Sequence, residues 1–523
     1  MFSEYVSAKR AADAENKFYA ESKRYPYGAS GRLNLFALFT EVAKQLISPA
    51  GRVGVIVQTS IATDSPMQKF WNHMADSRMV VSVLDFENRY RLFPDVHSNA
   101  KFCLLTLVGT AQPVRETRFA FFLHSTADLA NRERVYTISP EELAGINPNT
   151  RQPALCRTRV DLELLEKIQR AGSILYDESA NQLYQAEGWR AIMSATGSQH
   201  YKTQENLINA VKYDSYCYKD GGTVYVPLIE SKMIHQFDHR YATFTTVDGS
   251  PLQGTNPRVI RDEEKERFEL GAPRFWAVSD FVEDMYESKN WKSPWIVGYR
   301  DVTNSTNERT SIACVLPRVG LVQPLNGVTV RTARHAAYLV AALCSIPLDY
   351  VCRLKVPWTH LNVTVFSQLP IPRLEEVPDE ISCRITDIAI ELTYTSSSLS
   401  PFAADLGYSA QPFVWDAKRR ELLRVELDAY FAHLYGLTRD ELRYILDPKD
   451  VLGDTFPSET FRVLKEREEK EFREYRTRRL VLEAFDKLAE SPTFSGEMRK
   501  RQSAIVISGS QSLTVANTSG HQN

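Results

Sequence analysis

Between Gly51 and Leu107 the chain repeats one pattern: a short apolar run, a polar or helical interval, then another run. Val53–Val57, Met79–Phe86 and Phe102–Val108 are such runs, and Arg118–Leu123 is a fourth. Ser65–Ser77, between the first two, carries a mixed helical pattern. Strand-length runs separated by helical sequence predict a sheet with helices packed on it, hence an α/β fold. The loop that leaves the second run ends in Leu92-Phe93-Pro94. An aromatic before Pro in such a loop is a candidate ligand contact, although a Phe judged by itself is more often a core residue.

The 523 residues are 43% hydrophobic, which predicts two to four domains with sizeable cores. The net charge of -2 neither requires nor excludes nucleic acid, since binding needs a basic face rather than a basic total. Seven cysteines stand far apart with no CxxC pair, which argues against zinc ribbons and disulfide frameworks and for thiols in a reducing compartment. The charged N-terminus lacks an apolar signal region, and no stretch has membrane-span length. The expectation is a soluble, cytoplasmic protein with no membrane partner.

Residues 1–28 read as a helix fraying into a loop. From Arg32 to Ile47, Leu33, Phe36, Leu38, Phe39, Val42, Ala43 and Leu46 form one wide helical stripe, stopped by Pro49 and Gly51. The sheet segment is assigned to residues 1–125, and residues 126–180 read as a connector with a helix at Asp161–Arg170. Residues 181–375 are rich in loops, with strands at Thr223–Leu228, Trp295–Tyr299 and Thr310–Leu316, a texture suited to recognition on a rigid frame. Residues 376–490 are helical: Asp379–Tyr394, Ala417–Leu434, Arg439–Ile445 and a long Lys470–Leu488. A further helix, Ala333–Cys344, precedes them. Residues 491–523 are polar and read as a disordered tail.

Four motifs invite chemistry. Gly51-Arg-Val-Gly54 precedes a strand, whereas a phosphate loop follows one, so it reads as a tight turn. His235 and His239 at i, i+4 would share one face of a helix, but no HExxH glutamate and no familiar third ligand accompany them. Metal is therefore not assigned, and Lys232, His235, His239 and Arg240 read as a polar patch facing a polyanion. The run Arg300–Arg309 is open to two readings: a solvated hairpin loop, or a loop whose Arg300, Asn304, Asn307 and Arg309 contact DNA. Arg462–Arg479 carries eight Lys or Arg against five Glu, interleaved at helical spacing. It reads as a salt-bridged solvated face more than as a phosphate contact through Arg476, Arg478 and Arg479.

Two longer stretches carry a family resemblance. GRLNLFALFTEVAKQLISPAGRVGVIVQTSIATD and FENRYRLFPDVHSNAKFCLLTL resemble the second half of the catalytic domain of Eco57I-like adenine-specific DNA methyltransferases, the large restriction-modification and phage-defence type. VPLIESKMIHQFDHRYATF and YRDVTNSTNERTSIACVLPRVG are similar to that family's target-recognition region, and LDYVCRLKVPWTHLNVTVFSQLPIP to its closing segment. DAYFAHLYGLTRDELRYIL and EYRTRRLVLEAFDKL look like its C-terminal helices. The resemblance covers most of residues 30–490. It implies a partial Rossmann-like methyltransferase sheet, then an α+β recognition domain, then a helical region. It also implies that Phe93, with Pro94, stacks on a flipped adenine, and it adds Arg353, Thr359 and His360 to the DNA-contacting set.

The family's Gly-rich S-adenosylmethionine turn and its Asn-Pro-Pro-aromatic motif are not found, and the two Asn-Pro pairs, at Asn147 and Asn256, lie far downstream. No catalytic residue and no cofactor-binding residue is therefore assigned. About 30 residues are needed for one βαβ unit, so the N-terminal segment cannot supply the missing strands. The expectation is a portion of a larger DNA N6-adenine methyltransferase, inactive alone, whose partners are double-stranded DNA and an upstream chain carrying the cofactor half. Its half-sheet would be mostly parallel with an open apolar edge. The alternatives are a stand-alone DNA-binding specificity subunit and a decayed product without a role. No PD-(D/E)xK-like nuclease pattern stands out.

Overall fold

The computed structural model describes residues 2–498 apart from 32, 99, 178–181, 184–185, 191–199, 208–209, 215, 455, 493 and 497. The chain divides into two compact units, one ending at Gln169 and one beginning at Arg170. The first opens with α1 (Phe2–Glu21), a helix with no buried residue. Next comes α2 (Leu35–Leu46), which buries Ala37, Leu38, Thr40 and Glu41. Its opposite side leaves Leu35, Phe39 and Leu46 exposed. β1 (Arg52–Gln58) follows, then α3 (Ser60–Thr63) and α4 (Gln68–Asp76). Phe70, Trp71, Met74 and Ala75 give α4 its buried face, and fully burying Phe70 or Met74 contributes about 1.5–3 kcal/mol each.

β2 (Val80–Glu87), β3 (Lys101–Val108), β4 (Thr117–Leu123) and β5 (Tyr136–Ile138) complete a five-stranded sheet of order β1-β3-β2-β4-β5. Only β2 and β4 pair in parallel; β1 with β3, β3 with β2, and β4 with β5 are antiparallel. The expectation of a mostly parallel half-sheet is thus corrected. The chain returns from β2 to β3 through a loop with one 3-10 turn (Asn88–Tyr90) and no crossover α-helix, and such a return makes antiparallel neighbours. β1, β2 and β4 run in one direction, so their carboxyl ends lie together beside the start of β3. Among the described residues β1 pairs with β3 alone, and its Ile56 is exposed.

The stretch expected as a connector is folded. It holds β5, α5 (Pro140–Ile146) and α6 (Arg159–Ala171), and through residue 169 it belongs to the first unit. Ser139 and Glu142 close a capping box on α5, while Leu162, Leu164, Leu165 and Ile168 bury one face of α6.

In the second unit one sheet centres on Thr223–Glu230, which pairs with Phe275–Val278 and, in parallel, with Gly320–Val322. Another sheet has the order Ala313–Pro317, Trp295–Arg300, Leu325–Val330, Ala186–Trp189. Gly327 is required there: a Cβ would meet the Trp189 ring at 2.3 Å. Helices Ala333–Cys344 and Ile346–Lys355 meet at a 68° bend and are almost wholly buried. Among the described residues no single helix is long and apolar enough to cross a membrane.

Helices Asp379–Thr393, Ala417–Leu434 and Arg439–Leu446 follow close to their expected bounds. The expected Lys470–Leu488 helix is instead two, Arg462–Phe472 and Arg476–Glu490, because Arg473 turns left-handed at φ 63° and buries Tyr475. The interleaved charges form ion pairs, as in Arg462–Glu466 and Arg479–Glu483. Arg476 and Arg478 meet Glu421 and Asp450, so all three candidate phosphate arginines have carboxylate partners. The expected tail starts later than residue 491: Phe494 packs edge-on against Tyr430 and His433. From residue 499 on, that tail lies outside the described residues.

Candidate functional site

The loop from β2 to β3 sits at the carboxyl ends of β1, β2 and β4, where open α/β sheets bind ligands. Asn88, fully buried, organises it. Its Oδ1 accepts the Phe93 N–H at 2.9 Å, and its Nδ2 reaches the carbonyls of Phe93 (2.9 Å), Val96 (2.8 Å) and His97 (3.4 Å). Arg91, left-handed at φ 55°, donates to the Pro94 carbonyl. The Phe93 ring meets Phe102 edge to face at 4.9 Å, and Phe102 stacks on Phe86 at 5.5 Å. Phe93 is 40% exposed, so one edge is anchored while the ring remains accessible. It is not the core Phe that residue statistics favour. Tyr90, Leu92 and Val96 are exposed on the same loop.

Beside this loop lies a polar cluster that sequence reasoning missed. Asp85, fully buried in β2, accepts the Thr59 hydroxyl at 2.5 Å and the Phe122 N–H at 2.9 Å. Phe122 is left-handed at φ 56° where the β2–β4 register shifts, a conformation bulky residues adopt only when surroundings hold them. Its ring lies between Lys101 Nζ at 4.3 Å and Arg157 Cζ at 4.0 Å. Burial pushes the Asp85 carboxyl up and the Lys101 ammonium down. Burial also works to raise Glu87, but its hydrogen bond with His124 and the charges of Lys101 and Arg157 outweigh it and hold it at about 2. The signal available in sequence was Asp85 itself, an acid inside the apolar run Val-Val-Ser-Val-Leu-Asp-Phe.

In the second unit the Arg300–Arg309 run is a loop between two strands, joined by backbone to a second loop. The Thr303 N–H donates to the Thr359 carbonyl (2.9 Å) and the Leu361 N–H to the Asp301 carbonyl (2.7 Å). His360 Nδ1 lies 2.8 Å from Asp301 Oδ1. Asn304 Oδ1 accepts from the Thr306 amide and hydroxyl, a turn built by an Asn side chain. The two loops together expose Val302, Thr306, Asn307, Thr359 and His360, with Asn304 half-buried among them.

Other expected DNA contacts are occupied inside the unit. Arg353 is buried, paired with Asp349 at 2.7 Å, and donates to the carbonyls of Ser305, Asn307, Glu308 and Thr460. It supports the loop from beneath. Arg309 lies 4.0 Å from Asp428, where burial works against its charge but Asp428 and Asp349 outweigh it. Arg300 donates to the Ile234 carbonyl and lies over Tyr241.

His235 and His239 do not share a helix face. The stretch is a turn closed by His235 and Asp238, with Phe237 left-handed. His239, buried, lies 2.9 Å from Ser396 Oγ and 3.1 Å from Ser398 Oγ. Arg240, also buried, donates to the carbonyls of Lys265, Phe268 and Thr395. The expected polyanion patch is therefore corrected: satisfying these donors inside the unit leaves only Lys232 and His235 half-buried, and Lys232 donates to the Thr255 carbonyl. Among the described residues no group of three or more His, Cys, Asp or Glu is placed to hold a metal.

Comparison with known proteins matches a segment of the first unit. The family model of the Eco57I restriction-modification methylase matches residues 5–93, the segment that ends on the stacking candidate. The Eco57I resemblance read from the sequence holds over that segment. Similar solved structures include the type IIG restriction endonuclease BpuSI, at 11% identity and a TM-score of 0.27, covering 81% of this chain and 52% of that one. The type IIL restriction-modification enzyme MmeI in complex with DNA is another, at 10% identity and a TM-score of 0.35, covering 77% and 49%. The chain thus spans about half the length of these two proteins. Comparison with curated proteins gives no match.

Proposed function

We propose that this chain is part of a site-specific DNA N6-adenine methyltransferase of a restriction-modification or phage-defence system. In this reading Phe93 stacks on an adenine turned out of the duplex, and the Asp301–Thr310 and Pro357–His360 loops contact the target sequence. The observation that carries it is Phe93 itself: held by Asn88, supported on one edge by Phe102, and accessible at the carboxyl end of the sheet.

S-adenosylmethionine does not fit the residues at hand. The β1–α3 turn has no glycine, and Thr59, Ser60 and Ile61 there are buried, so this turn does not supply the Gly-rich loop the resemblance calls for. The cofactor is assigned instead to a segment or chain that pairs with β1. Support comes from the open edge of β1 and the exposed apolar side chains next to it: Ile56 on β1, and Leu35, Phe39 and Leu46 on α2, which packs on β1. Such an edge is a pairing site when it is not covered. Six of the seven cysteines are buried free thiols, in keeping with a reducing cytoplasm.

The test is methyl transfer from labelled S-adenosylmethionine to duplex DNA, with the chain alone and with a chain supplying the cofactor half. Transfer is expected only in combination, and abolished there by Phe93→Ala. Methylation by the isolated chain would overturn the assignment. The paired polar loops of the second unit favour one other reading, a DNA-binding specificity subunit without catalysis, which predicts sequence-selective binding and no transfer in either arm.

A further inference from the structure

In the second unit a cavity lies at the first turns of the Ala417–Leu434 helix. Its volume is about 210 Å³, many times the roughly 10–15 Å³ that one water requires. Its walls include Lys265, Arg420 and Arg424, with Asp238 and Asp262 as the only carboxylates. Asp238 is engaged by Lys265 at 2.6 Å, and Asp262 is exposed at the rim. Lys265 and Arg420 are also held on the Trp415 ring, at 4.4 Å and 3.8 Å from its centroid. Arg420 donates to the Leu392 carbonyl as well.

Arg424 differs from these. It follows Arg420 by one helical turn, where like charges repel, and it is half-buried. Among the described residues it has neither a hydrogen bond nor an ion pair within 4 Å, although the carboxylates of Asp428, Glu421 and Glu308 act on its charge from further off, against burial and the charge of Arg309. Other donors near the cavity are unsatisfied too: the Trp415 Nε1 and Arg300 Nε are buried without a partner. A solvated surface arginine needs no explanation, but a guanidinium half-withdrawn from water beside two other cations does, because desolvation makes its charge costly.

We propose that this cavity is a binding site for a phosphate group, with Arg424 as its principal ligand and Arg420 and Lys265 supplying the surrounding positive charge. The planar donor fork of arginine matches a phosphate's oxygens, and a bound dianion would offset the excess of cations. The phosphate could belong to a free phosphorylated molecule or to a DNA backbone. This inference does not depend on the methyltransferase reading, because its first arm contains no DNA.

The first arm compares thermal unfolding of the full chain in inorganic phosphate and in sodium chloride of equal ionic strength. Phosphate is expected to raise the midpoint by about 2 °C or more. Arg424→Gln is expected to remove that rise and to weaken phosphate affinity by calorimetry about 10- to 100-fold. Arg424→Lys should retain part of it, which guards against a fold defect in the Gln variant, and Lys418→Gln, exposed on the same helix, should leave it unchanged. No phosphate-specific rise in the wild type, or an equal rise in Arg424→Gln, overturns the site. The second arm measures duplex DNA binding against salt. A loss of about one from the log–log slope in Arg424→Gln assigns the phosphate to DNA, and an unchanged slope with the phosphate effect lost assigns it to a free ligand.

Discussion

Two loops, one in each unit, are built on the same plan with opposite materials. In the first unit the Phe93 loop is pinned by Asn88, a neutral side chain that both accepts from and donates to the loop backbone. In the second, the Asp301–Thr310 loop is pinned by Arg353, a buried cation that donates to three loop carbonyls and is neutralised by Asp349. Asp349 in turn accepts the amides of Thr310 and Ser311. The neutral pin serves a loop that exposes aromatic and aliphatic side chains; the charged pin serves one that exposes Val302, Thr306 and Asn307. In both, the residue that shapes the loop is buried, and the residues fit to touch a ligand are not.

The comparison breaks most forcibly at Arg353. Arg353→Met leaves Asp349 buried without its cation and several carbonyls without a donor, and is expected to cost about 3–5 kcal/mol in chemical denaturation. A loss under about 1 kcal/mol would show that the pin is dispensable. Asn88→Ala should cost less, about 1–3 kcal/mol, and its main effect should be faster hydrogen exchange confined to the amides of the Phe93 loop.

Acid sharpens the contrast between the units. Burial, with Arg240 alongside, pushes His239 down to about 3, so the folded second unit excludes a proton that the unfolded chain takes up below about pH 6.5. Its contribution is whole above that value and falls as the pH drops from 6.5 towards 3, by about 1.4 kcal/mol per pH unit. His239→Gln should flatten that part of the stability profile. In the first unit Glu87 acts lower on the scale: held at about 2, its contribution is present above about 4.5 and is lost as the pH falls through 2. Unfolding of the first unit between pH 6.5 and 5 ahead of the second would contradict this order.

The smallest effects on stability fall on the exposed residues, where the functional effects should be largest. Phe93→Ala forfeits one edge contact with Phe102, worth about 0.5–1.5 kcal/mol. Asn307→Ala should stay within about 0.5 kcal/mol in stability. If Asn307 reads a base, that substitution should cost about 1–3 kcal/mol of sequence discrimination while total DNA affinity changes little. Equal discrimination before and after would remove Asn307 from the recognition face.

Much of the first sheet was legible because strand and helix spacing are local properties. The run Val53–Val57 lies within β1, and Ala333–Cys344 and Ala417–Leu434 have their expected bounds, the latter helped by Asp416, whose side chain caps it. Phe93 was singled out through resemblance, and the fold leaves it 40% exposed. The basic candidates were read less well. Arg240, Arg309 and Arg353 carry the residue type expected of a DNA contact, but charge in a sequence does not say whether its partner is a phosphate outside or a carboxylate and carbonyls inside.

The sequence by itself determined where several of the strands and helices lie, that the Leu92-Phe93-Pro94 loop joins two strands, and that the C-terminal helices carry interleaved charge. Period and breaker residues act within a few positions, so they are readable without the fold. Only the tertiary structure decided that β2 returns antiparallel to β3, that Asn88 and Arg353 are buried pins, that Asp85 accepts the Phe122 N–H, and that Arg424 lines a cavity with Arg420 and Lys265. Each of these depends on groups distant in the chain meeting in a place where water is excluded. There the energy of a polar side chain is set by its neighbours in space and not by its neighbours in sequence.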